Sequence, residues 1–223
     1  MKRLKLQRSE KGQSLMEFVL VLPLLLAFIL VTAEIGFLLY NYMNVAGANR
    51  EGVRLASRGR FTDNSVVARV ISSGGLREVA PGVTEPNLRT TGTSSNFGVI
   101  VTRISIPYDV GANIEISTYV SGTLVVHGAG SPVVRAIEET DGRIAQMSGS
   151  DLMAYLDVRR DVAAQINAYK IAEDYDITSH EVYIIVETFF AHASLTKLLP
   201  VIDDPFTIYY SSTMRVMQDG RVE

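Results

Sequence analysis

The 223 residues, 47% hydrophobic and 20% charged, suffice for one ordinary globular domain with an appendage, or for two small domains, and exclude a disordered chain. There is no cysteine, which removes disulfide scaffolds, thiol catalysis and cysteine-built metal sites, and three histidines leave little for metal or proton-transfer chemistry. The net charge of −3 is uneven: Lys2, Arg3, Lys5, Arg8 and Lys11 against Glu10 put +4 on residues 1–12 and leave −7 on the rest, a pattern of membrane targeting and not of nucleic-acid binding.

The first predicted element is a membrane helix. Phe18 to Ala33 carries no charge, Glu17 precedes it and Glu34 follows it, and apolar character resumes through Ile35, Phe37, Leu38, Leu39 and Tyr40. As one helix, 18–40 is about 34 Å long, enough for a hydrocarbon core of roughly 30 Å. The two glutamates then lie about 25 Å apart, each expected near a membrane border where a carboxylate costs less than at the centre. The five preceding basic residues orient the N-terminus to the cytoplasm and everything after about Asn41 to the outside. A removable secretory signal is the other reading, with Val31-Thr32-Ala33 before the cut, but the apolar run is long for a signal core and continues past it.

The junction reads Lys11-Gly12-Gln13-Ser14-Leu15-Met16-Glu17-Phe18. An ionised Glu17 facing lipid needs a counter-ion. A cut after Gly12 would supply one, because Gln13 would gain an α-amine with a reference pKa of about 7.7–8.0. That cation can pair with Glu17 of the same or a neighbouring subunit.

These residues resemble the class III signal of type IV pilins and pseudopilins, which prepilin peptidase cleaves after the glycine. Gln13 departs from the bulky apolar first residue of many major pilins, whereas Glu17-Phe18 is similar to the mark of the Tad branch. Leu22-Pro23-Leu24-Leu25, Glu34-Ile35-Gly36, Ala48-Asn49-Arg50-Glu51-Gly52-Val53-Arg54 and the closing Tyr210-Ser211-Ser212-Thr213-Met214-Arg215 extend the resemblance to the TadE-like family of pilus-assembly pseudopilins. It covers residues 11–60 well and the last twenty loosely. It implies processing at Gly12 and Gln13, subunit register set by Glu17 and Phe18, and prepilin peptidase, other Tad pilins or pseudopilins and membrane lipid as partners.

From Asn41 to Gly59 the helix is expected to continue, with Gly59 as its C-cap. Ala48, Gly52 and Ala56 recur every four residues and present a small-residue face for close packing, against either the chain's own domain or another subunit. Arg50, Arg54 and Arg58 form a second stripe, and Glu51 reaches Arg54 at i+3. Thr62 or Asp63 caps a second helix bearing Val66, Val67, Val70 and Ile71, which Gly74-Gly75 ends. Residues 80–96 read as a surface loop.

Strands follow at Ile100–Ile106, stopped by Pro107, and at Ile114, Ile116 and Thr123–Val126 as another strand or hairpin. Ser150–Asp174 has helical spacing of Leu152, Tyr155, Leu156, Val162, Ile166 and Tyr169, and predicts an amphipathic helix on the sheet. Val182–Phe190 is strongly β-prone, with Val182, Ile184, Val186 and Phe190 on one face. The last run alternates Phe206, Ile208, Tyr210, Met214 and Val216 against Thr207, Tyr209, Ser211, Thr213 and Arg215, as in a half-buried antiparallel strand.

No catalytic, cofactor or metal constellation emerges. His180 and His192 would lie about 40 Å apart on one strand and read as polar strand ends. His127 beside Gly128-Ala129-Gly130 lacks the context of a dinucleotide loop. Asp203-Asp204-Pro205 and Glu138-Glu139-Thr140-Asp141 lack calcium-loop spacing and read as solvated loops.

The expected architecture is α+β: a basic leader at 1–12, a transmembrane and stalk helix at 13–60, and an extracytoplasmic antiparallel-sheet domain at 61–223, with 107–180 as an insertion. The expected protein is a non-enzymatic minor pseudopilin in the inner membrane that assists assembly of a Tad-type (type IVc) pilus. Whether it enters the fibre, caps its tip or stays in the membrane is left open. The alternative is a permanently anchored exoprotein that binds a ligand or a cell-wall component.

Overall fold

The computed structural model describes residues 10–58, 62–92, 95–107, 114–127, 132–157, 180–196 and 205–216. It is an α+β protein: a long N-terminal helix leads into a domain of antiparallel sheets with helices packed on them.

Helix α1 runs Glu10–Ala56 without interruption. Pro23 lies inside it and has no amide hydrogen to donate to the carbonyl four residues back. Thr32 returns its hydroxyl to the Phe28 carbonyl at 2.8 Å, so no polar hydrogen on that side chain is left to face an apolar medium. Helix α2, Asp63–Ser73, starts at the Thr62 N-cap, whose side chain accepts from the Ser65 amide, and ends at Gly74. It buries Val66, Val67 and Val70.

A hairpin of β1, Leu76–Ala80, and β2, Val83–Pro86, runs into the 80–96 stretch read as a loop, β1 preceding it and β2 lying within it. Pro81-Gly82 makes the turn, with Gly82 at φ +76°, where glycine is not strained. Nearly all its side chains are exposed, so there was no apolar alternation to betray it.

The main sheet has the order β5-β4-β3-β6-β7, all antiparallel, from β3 (Phe97–Pro107), β4 (Glu115–His127), β5 (Pro132–Ala136), β6 (His180–His192) and β7 (Phe206–Arg215). Strand β4 is one strand and not two. It pairs with β3 from Ser105↔Glu115 to Gly98↔Gly122, then with β5 from Thr123↔Ala136 onward. The switch occurs at Gly122, φ +101°, where a Cβ would lie 2.1 Å from the Phe97 carbonyl oxygen. Only glycine allows that backbone approach. The 107–180 stretch therefore supplies β4 and β5 to the common sheet.

Both faces of the central strands are buried. Phe97, Val99 and Val101 of β3, Ile184, Val186 and Phe190 of β6 and Ile208 of β7 pack with Val45, Ala48, Val53 and Ala56 of α1 and with α2. On the other face, Ile104, Ile106 and Ile185 pack with Ile144 and Leu152, while Ile100 and Phe189 pack with Ile137. Helix α3, Gly149–Tyr155, contributes Leu152 to this second layer. The longer helix expected over 150–174 is described only that far: α3 stops with Leu156 as its C-cap, and residues 158–179 lie outside the described set.

Candidate membrane-border and assembly site

Helix α1 changes character along its length. From Leu15 to Ile29 every residue is exposed, including Leu20 at 77%, Leu24 at 73% and Phe28 at 73%. By length and composition this part can cross a membrane. From residue 34 onward burial becomes periodic: Glu34, Asn41, Val45, Ala48, Asn49, Gly52, Val53 and Ala56 face the domain. The rotation is that of a helix lying against a sheet. The free apolar segment 15–33 is thus about 28 Å long, close to the roughly 30 Å hydrocarbon thickness of a bilayer. The span expected over 18–40 overlaps this segment, and beyond 34 the helix keeps an exposed apolar face through Ile35, Leu39 and Tyr40 while its other face docks on the domain.

Three polar side chains mark the docked face, and strand β6 or its exit answers each one. Glu34, 4% exposed, accepts from the backbone amides of Leu195 at 3.0 Å and Thr196 at 3.2 Å, and from the Thr196 hydroxyl at 3.3 Å. Asn41 Nδ2 lies 2.9 Å from His192 Nδ1. Asn49 Nδ2 donates to the Val186 carbonyl at 2.8 Å and to Thr188 Oγ1 at 3.3 Å. As α1 ascends, its partners step back along β6, so the helix runs antiparallel to that strand. A shift by one helical turn would strand all three polar groups inside the interface, which fixes the register.

Glu34, expected near a membrane border, follows the exposed apolar stretch and is enclosed by protein there. Burial alone would raise its pKa, but hydrogen bonds from Leu195, Ser194 and Thr196 outweigh this and hold the carboxyl below its ordinary value of 4.5. His192, read as a polar strand end, is 3% exposed. Its Nε2 lies 3.6 Å from Glu34 Oε1 and its ring 5.2 Å from that of Phe37.

The small-residue face lies against the chain's own α2 and sheet. Ala48 and Ala56 are buried in that core, and a Cβ on Gly52 would come 2.3 Å from Val70 Cγ2. Along the adjacent stripe, Arg50 Nε donates to the Tyr210 hydroxyl at 3.0 Å, and Glu51 meets Arg54 at 3.7 Å and Arg69 at 3.3 Å. Gly12 and Gln13 fall within the first turns of α1, while Glu17 and Phe18 are exposed, Phe18 at 63%. Gly59, expected as the C-cap, lies outside the described residues, and α1 ends at Ala56.

A second buried carboxylate holds the opposite face. Glu187, fully buried in β6, accepts from the amides of Arg143 at 2.8 Å, Ile144 at 3.1 Å and Ala145 at 3.2 Å, and from the Tyr209 hydroxyl at 2.7 Å. Burial, and the Glu187 carboxylate it donates to, push the Tyr209 phenol above its ordinary 10.0. Asp141, read as part of a solvated acidic run, is paired with Arg135, which holds its carboxyl below the ordinary 3.8. His127 Nε2 lies 2.7 Å from the Pro205 carbonyl oxygen. Asp203 and Asp204 lie outside the described residues, and so does the side chain of His180.

Sequence reasoning missed Glu34, Asn41, Asn49, Glu187 and His192 as a connected set. One signal was present: polar residues at 34, 41 and 49 fall seven and eight apart, on one face of a largely apolar helix.

Residues 12–54 match the family model described as TadE-like protein. No curated protein and no solved structure matches the chain. The matched segment begins at Gly12 and ends at Arg54, so it takes in the exposed apolar stretch, all three polar contacts of α1 with β6, and Gly52.

Proposed function

We propose, from the match of residues 12–54 to the TadE-like family model, that this chain is a minor pseudopilin assisting assembly of a Tad-type (type IVc) pilus together with other components of that system. The observation that carries the reading is the family match opening at Gly12 and running through an exposed apolar stretch of membrane length. In this reading residues 15–33 cross the inner membrane once, with the basic N-terminus inside and the sheet domain outside. Prepilin peptidase cuts after Gly12. The new Gln13 amine pairs with the Glu17 carboxylate of a neighbouring subunit, and that pairing sets the axial register, with Phe18 beside it in the apolar layer. The protein's part is structural and not enzymatic: α1 packs among pilin helices while the sheet domain projects.

The test is the mature N-terminus together with two variants. Mass spectrometry should find the chain beginning at Gln13. Gly12→Asp should insert but stay uncut. Glu17→Val should insert and be cut, because a carboxylate pulled to the bilayer centre costs about 2.5–3.5 kcal/mol that valine does not, yet it should fail in pilus assembly. A parent protein beginning before Gln13, or normal piliation by Glu17→Val, would sink this mechanism and leave a permanently anchored exoprotein.

A further inference from the structure

The apolar span ends where the sheet domain begins, and the residues around that junction are not those of an ordinary water-facing rim. Leu195 is held at this level by its backbone amide, which donates to both Glu34 oxygens at 3.0 and 3.1 Å, while its side chain is 61% exposed. Phe206 pairs across the strand with His192, the residue facing Glu34, and is 42% exposed. On α1 itself, Ile35 is 50% and Tyr40 59% exposed. Helical side chains lean toward the N-terminus, so Tyr40 points back toward the span.

We propose that this end of the sheet domain sits in the headgroup layer of the bilayer, with Leu195, Phe206, Ile35 and Tyr40 as its lipid contacts. The inference rests on the reading that residues 15–33 cross a membrane. Lipid is the occupant because the patch is continuous with the span: Ile35 and Tyr40 follow it directly on the same helix. Leu195 cannot leave that level without breaking its bonds to a buried carboxylate. Headgroup regions add about 5–7 Å to each side of the hydrocarbon core, a depth of three to five helical residues beyond 33 that takes in Ile35, whereas Tyr40, about 10 Å on, meets the layer's outer edge through its ring leaning back toward the N-terminus. Aromatic rings with one polar end, such as Tyr40, favour this layer. The ectodomain would thus touch the membrane at two places, through the helix and beside it, and its tilt on the bilayer would be restrained.

The chain has no tryptophan, so a single introduced one reports its own surroundings. Full-length Leu195→Trp, Phe206→Trp, Leu26→Trp and Tyr155→Trp would each be reconstituted into phosphatidylethanolamine–phosphatidylglycerol vesicles carrying brominated acyl chains. Leu26 lies within the span, and Tyr155 lies beside Thr213, toward the end of β7 away from Phe206. Leu26→Trp should lose most of its emission to deep bromines. Leu195→Trp and Phe206→Trp should be blue-shifted and lose emission to bromines near the glycerol. Tyr155→Trp should keep full emission. If Leu26→Trp is quenched while Leu195→Trp and Phe206→Trp stay as bright as Tyr155→Trp, the patch lies in water and the inference is wrong, although the span stands. If Leu26→Trp is unquenched too, the membrane reading fails and takes this inference with it. Exposed positions were chosen so that tryptophan fits, and circular dichroism of each variant checks the fold.

Discussion

The two halves of α1 are one continuous helix exposed to different surroundings. Residues 18–29 are apolar on every side and exposed, and no described part of the chain covers them. Residues 34–56 bury one face only, and that face combines small residues with Glu34, Asn41 and Asn49, each hydrogen-bonded or within hydrogen-bonding distance of β6 or the segment just after it. A helix that is hydrophobic all round is matched to lipid or to a large core, whereas a helix with one buried stripe and matched polar groups is matched to a particular protein surface. The contrast shows where the membrane should stop. On the proposed reading the all-round apolar surface ends at Glu34, where one face of the helix docks on the domain and the carboxylate is held by the Leu195 and Thr196 amides.

Substitutions can break this comparison, and Glu34→Ala should have the largest effect. It leaves the Leu195 and Thr196 amides without their acceptor and should destabilise the docked domain by at least about 1.5–3 kcal/mol, the worth of a single hydrogen bond to a charged group. Denaturant titration of the detergent-solubilised chain would measure it. Gly52→Leu comes next. The α1–α2 contact has no room for a Cβ, so overpacking should cost about 1–3 kcal/mol. The same titration would show it, and an unchanged midpoint with lost piliation would move this face to a subunit interface.

The third prediction uses pH. The folded Glu34 carboxyl has its pKa below the ordinary 4.5, so its contribution to stability is fully present above about pH 4.5 and is lost as pH falls through the folded value. Glu34→Gln should flatten that loss, with His192, which faces the same carboxylate, left in place. The acid sensitivity that remains should include Asp141, whose pKa Arg135 also lowers. The smallest effect belongs to the other half of the helix. Leu24→Ala, at a side chain 73% exposed, should shift unfolding of the sheet domain by no more than about 0.5 kcal/mol. A larger shift would mean that the span leans on the domain, and the division at residue 34 would blur.

How much of this was legible depends on whether an element's pattern is local. The apolar stretch and the β6 run Val182–Phe190 could be read because each carries an uninterrupted or alternating signature within one window. For β4 the reading left one strand or a hairpin open, because Gly122 interrupts its alternation where the strand changes partners. The β1–β2 hairpin was missed because its side chains lie open to solvent, and a turn of Pro81-Gly82 alone does not announce two strands. The Glu34 site was out of reach for another reason. Its donors lie more than 150 residues away in sequence, and no local period encodes a tertiary hydrogen bond. Glu187 was hidden in the same way, a carboxylate inside a β-prone run whose partners are the amides of a distant loop.

The central claim is that α1 passes from lipid to protein at residue 34, and the absence of cysteine permits a direct test. Single cysteines placed from 22 to 48 in the full-length protein, in its native membrane, would be challenged with a membrane-impermeant maleimide. The account predicts no labelling at any position through 33. Beyond that, labelling should follow the helix: Gly36→Cys, Met43→Cys and Gly47→Cys react, whereas Asn41→Cys, Val45→Cys and Ala48→Cys do not. Labelling on one face within 22–33, or uniform protection reaching 48, would contradict it.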